Sequence, residues 1–374
     1  MSGTGGDAAA SEAGASADGA GAPGVSKDGV YGQRPGREAE VGKGLARRNG
    51  RRGRRRGERA MVPEAEFRSY YGLPVLNPPS WKSFDIAGYF FLGGLAGAGS
   101  VLAAGAQLTG RPATARAMKI SSLAAIGGST VLLIHDLGRP ARFANMLRVM
   151  KPTSPMSMGS WLLAAYGPAA GAAAVLDVTG LFPRLGGAAT AGAAALGPLV
   201  ATYTAALAAD TAVPSWHDVH RELPLVFAGS ATAAAAGMGM IVSPTREAGP
   251  MRSAAVFGAA LELAAAKTIE YRAGLVAEPY KTGKAGRYMR AGEILTAAGT
   301  AGGLLFGGRS RAVSALSGLA LLAASACTRF GVFHAGVQSA EDPKYTVVPQ
   351  RERLAAAANG SANGSADGTG GEGA

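Results

Sequence analysis

The sequence predicts an all-α integral membrane protein, with about eight transmembrane helices in two four-helix halves and flexible tails at both ends. Three observations predict it. Apolar residues are concentrated between Phe84 and His334 in successive runs close to the length at which a helix crosses the hydrocarbon core. Charges are nearly absent from these runs and crowd the segments between them. Many runs are rich in Gly and Ala, and Gly93, Gly94 and Gly97 offer a small-residue face for close helix approach where no water drives association.

Residues 1–60 are rich in Gly, Ala, Ser and Arg, with eight arginines between Arg47 and Arg59. Too little apolar surface is present to offset the entropy of ordering, so a disordered basic tail is expected. Beside a membrane domain, such a tail suits anionic headgroups or the setting of topology better than nucleic acid. Residues 61–83 carry Phe67, Tyr70, Tyr71 and several prolines without helical period, which predicts an extended interfacial segment ending at Trp81 as an anchor. The membrane domain, 84–336, is expected to hold spans at 84–108, 117–136, 158–176, 189–210, 224–242, 251–272, 289–306 and 311–334. Residues 337–374, with two Asn-Gly-Ser repeats, read as a flexible tail.

Lysine and arginine are denser on the face reached by the N-terminal tail than on the opposite one. The positive-inside rule then places both termini in the cytoplasm of a cell-membrane protein. The connections on the N-terminal face are also the long ones, which suits docking and site formation. That face collects Asp85, Tyr89, His135, Asp136, Arg139, Tyr203, Asp210, His217, Asp218, Lys267, Glu270, Glu293, Arg329 and His334.

The single cysteine, Cys327, cannot supply the thiolates of an iron–sulfur cluster. The four histidines, at 135, 217, 220 and 334, are poorly placed as axial ligands, so no haem or cluster is expected on this chain. His217 and His220, three apart with no third ligand, make a weak metal signal, and a surface loop explains them better.

The second apolar run closes on His135-Asp136-Leu137-Gly138-Arg139-Pro140 and continues through Arg142-Phe143, Lys151-Pro152 and Ser160-Trp161. This block resembles the NrfD or polysulfide-reductase membrane-subunit family. Pro214-Ser215-Trp216 and Leu223-Pro224-Leu225-Val226-Phe227, followed by Ser230, carry the same resemblance into the second half. It implies electron and proton exchange with quinones, an iron–sulfur (ferredoxin-like) partner subunit and a molybdenum-type catalytic subunit. The Ala-, Gly- and Arg-rich composition fits a high-GC genome and favours menaquinone.

A quinone needs an apolar slot, a donor at each carbonyl and a protonatable group nearby. His135 with Asp136 supplies a group that titrates near neutrality and a carboxylate to relay its proton, with Arg139 shaping the turn. Tyr89 or Tyr203 serves the second carbonyl. Arg142, Arg148, Lys151 and Trp216 are the expected docking residues for the partner. Glu262 falls near the middle of its span, where an unpaired carboxylate is expensive. With Lys267, Glu270 and Asp210 it makes either a proton path or a structural polar knot. Two other readings remain: a secondary transporter or ion-translocating subunit using Glu262, Lys267 and Glu270, and a pure membrane anchor.

Overall fold

The computed structural model describes residues 74–139 and 141–367. The expected tail 1–60, most of the 61–83 segment and Pro140 of the motif lie outside the described residues.

Pro78 and Pro79 bias the residues before them away from helix, and α1 (Ser83–Leu108) begins only after them. A tight turn leads to α2 (Pro112–Asp136), whose first residue is a proline where a missing N–H costs nothing. Gly138, at φ +70°, ends that helix in a conformation side-chain-bearing residues rarely adopt. The motif then forms the short α3 (Ala141–Met146). Ser154 caps α4 (Pro155–Thr179) by accepting from Ser157 N, and Gly180 closes it at φ +70°. α5 (Pro183–Ala209), the short α6 (Pro214–His217) and α7 (Leu223–Val242) follow, then α8 (Gly249–Arg272). A 3-10 turn (Gly274–Ala277) leads into α9 (Glu278–Lys281), α10 (Gly283–Leu305), α11 (Arg311–Glu341) and α12 (Lys344–Asp367).

Several helices begin earlier than the apolar runs predict, at 112, 155, 183 and 283 instead of 117, 158, 189 and 289. Backbone hydrogen bonding carries on through polar first turns that hydropathy excludes, and Pro112, Pro155 and Pro183 mark the true starts. The C-terminal reading also changes. Instead of a flexible tail from 337, α11 runs on to Glu341 and α12 follows. Tyr345 is buried there, and Lys344 bonds Glu278 at 3.2 Å and lies 4.6 Å from the Tyr345 ring.

Among the described residues, six helices are long and apolar enough to cross a membrane: α1, α2, α4, α5, α7 and α11. α8 and α10, at 24 and 23 residues, match them in length but carry more charge. Helices α1, α2, α4 and α5 pack around one another, as do α7, α8, α10 and α11. α1 joins the groups by packing on α2, α5, α7 and α11. Its contact with α5 depends on Gly97 and Gly197, each too close to the other's carbonyl to carry a Cβ. Gly237 of α7 and Gly318 of α11 meet in the same way. Val131, Val175, Leu199, Ile294 and Leu316 point outward, the arrangement a lipid-facing surface requires.

The short turns 109–111, 180–182, 243–248 and 306–310 lie on one face, and the long connections lie on the other. On the long-connection face Ser215 Oγ donates to Val276 O at 2.9 Å, and Tyr280 Oη to Ser215 O at 2.6 Å. Burial pushes the Tyr280 phenol up from its ordinary pKa, which keeps it a donor. On the short-turn face Glu247 accepts from Thr114 N at 2.9 Å, so the α7–α8 connection caps the first turn of α2.

Candidate functional site

In the first group, α1 and α2 meet where one starts and the other ends. His135 Nδ1 lies 2.8 Å from Asp85 Oδ2. An ionised carboxylate can only accept, so the imidazole donates from Nδ1 and its Nε2 is left for another partner. The Asp85 side chain is 4% exposed and that of His135 64%, so a buried acid holds an accessible ring. The carboxylate paired with His135 is therefore not its sequence neighbour: Asp136 instead accepts from Lys82 N at 3.3 Å. Arg139 is exposed just beyond it.

One turn into α1, buried Tyr89 meets Tyr203 of α5 edge to face, with centroids 6.3 Å apart. Gly159 of α4 leaves space for the Tyr203 ring, which a Cβ there would strike. The Tyr203 hydroxyl is buried with no hydrogen-bond partner among the described residues, an expensive state for a donor. The expected set His135, Tyr89 and Tyr203 thus gathers on neighbouring helices. Asp210 sits exposed at the end of α5.

The second group contains a cavity of about 280 Å³ lined by Lys267 and Glu270 of α8, Arg290 and Glu293 of α10, Tyr280 and Lys281, with Val226, Ile269, Met289 and Val332 among its apolar walls. Lys267 Nζ is 3.2 Å from Glu270 and 3.5 Å from Glu293, and Lys281 reaches Glu270 at 3.6 Å. Deeper, a void of about 10 Å³ is lined by Glu262, Glu293, Thr296 and Thr328. Glu262 is 4% exposed, and accepts from Thr328 Oγ1 at 2.7 Å and Thr296 Oγ1 at 3.4 Å. Nearby, Arg329 is wholly buried; it donates to Phe227 O at 2.8 Å and lies 3.6 Å from the Phe227 ring centroid. Its Nε and one Nη find no partner among the described residues.

Arg142, Arg148 and Lys151 are exposed around α3 on the long-connection face. Trp216 is not exposed with them. It is fully buried, donates Nε1 to Val332 O at 2.8 Å, and packs where Gly336 leaves no room for a Cβ. Its side chain therefore supports this face from beneath and cannot itself meet a partner. Trp81, expected as a lipid anchor, stacks on Trp216 at 5.8 Å and 17°.

Sequence gives Asp85 and Glu293 a face but no role, because their partners lie on other helices and no periodicity pairs them. Lys119 escapes sequence reasoning altogether. Its ammonium, on the short-turn face, is buried and donates to Gln107 at 2.6 Å and Asp177 at 2.8 Å. The one available signal is a lone lysine inside an apolar run. Among the described residues, no group of three or more His, Cys, Asp or Glu could hold a metal ion.

Among curated proteins, no match to the chain is found. Residues 74–255 match the family described as polysulphide reductase, NrfD, over a stretch that includes the Asp85–His135 pair, α3 and its basic residues, and Trp216. Over those residues the chain is similar to the NrfD family, whose members are membrane subunits of quinone-linked oxidoreductases.

Proposed function

We propose that the chain is the membrane anchor and quinone-binding subunit of a multi-subunit oxidoreductase, exchanging electrons between a partner's iron–sulfur cluster and the quinone pool, with menaquinone favoured. The observation that carries this reading is the Asp85–His135 pair at the start of α1, with the Tyr203 ring, its hydroxyl unpartnered among the described residues, against Tyr89 of the same helix. Those residues fit a quinone. Its two carbonyls each call for a donor, its ring suits the Tyr89 and Tyr203 walls, and Tyr203 has a donor to spare. A bound quinone supplies two-electron chemistry linked to two protons. The chain's part is to hold Asp85 buried so that the imidazole keeps one orientation, to pass a proton through His135 Nε2, and to donate from Tyr203.

Eight crossings in two four-helix halves, with both termini cytoplasmic, complete the proposal. Arg142, Arg148 and Lys151 form the docking face for the iron–sulfur (ferredoxin-like) subunit, which in turn carries a molybdenum-type catalytic subunit. Glu262, Lys267 and Glu270 belong to a proton route in the second group, and Asp210, exposed on another helix, is left out of it. The transporter reading needs the groups to rock against each other. Ties on both faces, Glu247 to Thr114 N and Trp81 to Trp216, oppose that motion.

The test is quinone-linked turnover of the purified complex beside artificial-dye activity at its catalytic subunit. His135→Ala is expected to lower the first at least about tenfold, the low side of what a positioned proton donor contributes, and to spare the second. Near-normal quinone turnover would refute the site.

A further inference from the structure

The two cavities of the second group share Val226, Ala266, Met289 and Glu293 in their linings. Of these four only Glu293 is ionisable. It touches the open, charge-lined cavity above and the small void at Glu262 below. We infer that Glu293 is the proton-transfer residue between a water-filled vestibule on the long-connection face and the buried carboxylate of Glu262. The inference rests on the proton route proposed above and adds to it a residue and an order of events.

Three observations support it together. The vestibule can hold water, since its volume is many times that of one molecule and its mouth carries Lys267, Glu270, Lys281 and Arg290. The void, about 10 Å³, is at the lower limit for a single water, and Glu262, Glu293, Thr296 and Thr328 are the polar residues that line it. Glu293 itself has freedom to act. Its side chain is 33% exposed and its ion pair is a single long contact to Lys267, 3.5 Å, on a lysine that already bonds Glu270. Glu262, by contrast, is fixed by two threonine hydroxyls and cannot reach solvent.

In the transfer, Glu293, paired with Lys267 as its anion, takes the excess proton of a hydronium ion in the vestibule, leaving water there, and becomes a neutral acid, which frees it from the ammonium. It gives that proton to the void water, while a different proton of the same water passes to the Glu262 carboxylate. The water is restored, Glu293 returns to its anion and its pair with Lys267, and Glu262 holds the proton. Release runs the same steps in reverse. Thr328 keeps a second acceptor, Ala324 O at 3.2 Å, so its hydroxyl can release Glu262 without being stranded.

The test follows Glu262 directly and does not depend on quinone. In the reconstituted complex, the protonated-carboxyl infrared band of Glu262 is identified as the band lost in Glu262→Gln. Its rise after a rapid drop in pH is then timed. Glu293→Gln, at a partly exposed position that tolerates an isosteric amide, is expected to slow that rise at least about tenfold. Tyr271→Phe, at an exposed position near the end of α8 that lines neither cavity, is expected to leave it within about twofold of the native rate. An unchanged rate in Glu293→Gln overturns the inference, as does a Glu262 band that never responds to pH. Quinone turnover measured on the same samples reports separately on His135, so either reading can fail while the other stands.

Discussion

At the scale of single residues, the acid that matters to His135 is set by which helix faces it. Asp85 is buried and bonded to the ring, whereas Asp136 serves a backbone N–H at the mouth of α1. Asp85→Ala removes the acceptor that fixes the Nδ1 donor, and should lower quinone-linked turnover about as much as His135→Ala, at least about tenfold. Asp136→Asn keeps an oxygen for Lys82 N and should cost less than about twofold. Steady-state kinetics of the three variants, with dye activity as the control, tests this order. Glu262 offers a second comparison. Glu262→Gln should assemble normally while proton-linked turnover falls at least about tenfold, because the amide fills the site but cannot titrate. Glu262→Leu should also assemble, since Thr328 falls back on Ala324 O. If the glutamate is a structural knot instead, Gln is silent in every assay and Leu breaks the complex.

At the scale of helices, much is legible in the sequence and some is not. Six long helices among the described residues announce themselves by length and apolarity, and the motif at 135–140 correctly marks a helix end. What periodicity cannot supply is pairing between helices. Trp81 and Trp216 look like interfacial and docking residues in one dimension, yet they stack on each other because the residues just before α1 reach α6. The stretch after 337 reads as flexible because its polar residues suggest solvation. Tyr345 is instead buried, and Lys344 bonds Glu278 of α9, which holds the start of α12. Small residues are legible as a face but not as particular contacts. Gly97→Val should test the α1–α5 crossing: the new side chain meets the Gly197 backbone, which cannot swing aside as a flexible side chain would. A loss of about 1–3 kcal/mol is expected, read as a lower midpoint of thermal aggregation in detergent. The same change at Gly127, with nothing near its Cβ position, should cost little.

At the scale of the whole molecule, the two helix groups divide the labour. The first presents an accessible imidazole on a buried acid, with a tyrosine hydroxyl unpartnered among the described residues, and the second presents a charge-lined cavity that shares its wall with the void at a buried carboxylate. α1, shared by both, keeps them in fixed relation. Removing residues 1–55 should leave this arrangement and quinone turnover intact, because the composition of that segment offers too little apolar surface to build a core; loss of the assembled complex would make it a docking element instead. The central claim is that a quinone occupies the space bounded by α1, α2 and α5. Its most direct test is photolabelling of the purified complex with an azido-quinone, followed by peptide mapping. The account predicts competed labelling within the peptides bearing Asp85–Tyr89, His135 and Tyr203, reduced by His135→Ala. Labelling confined to α8 and α10, or none that unlabelled quinone displaces, would contradict it.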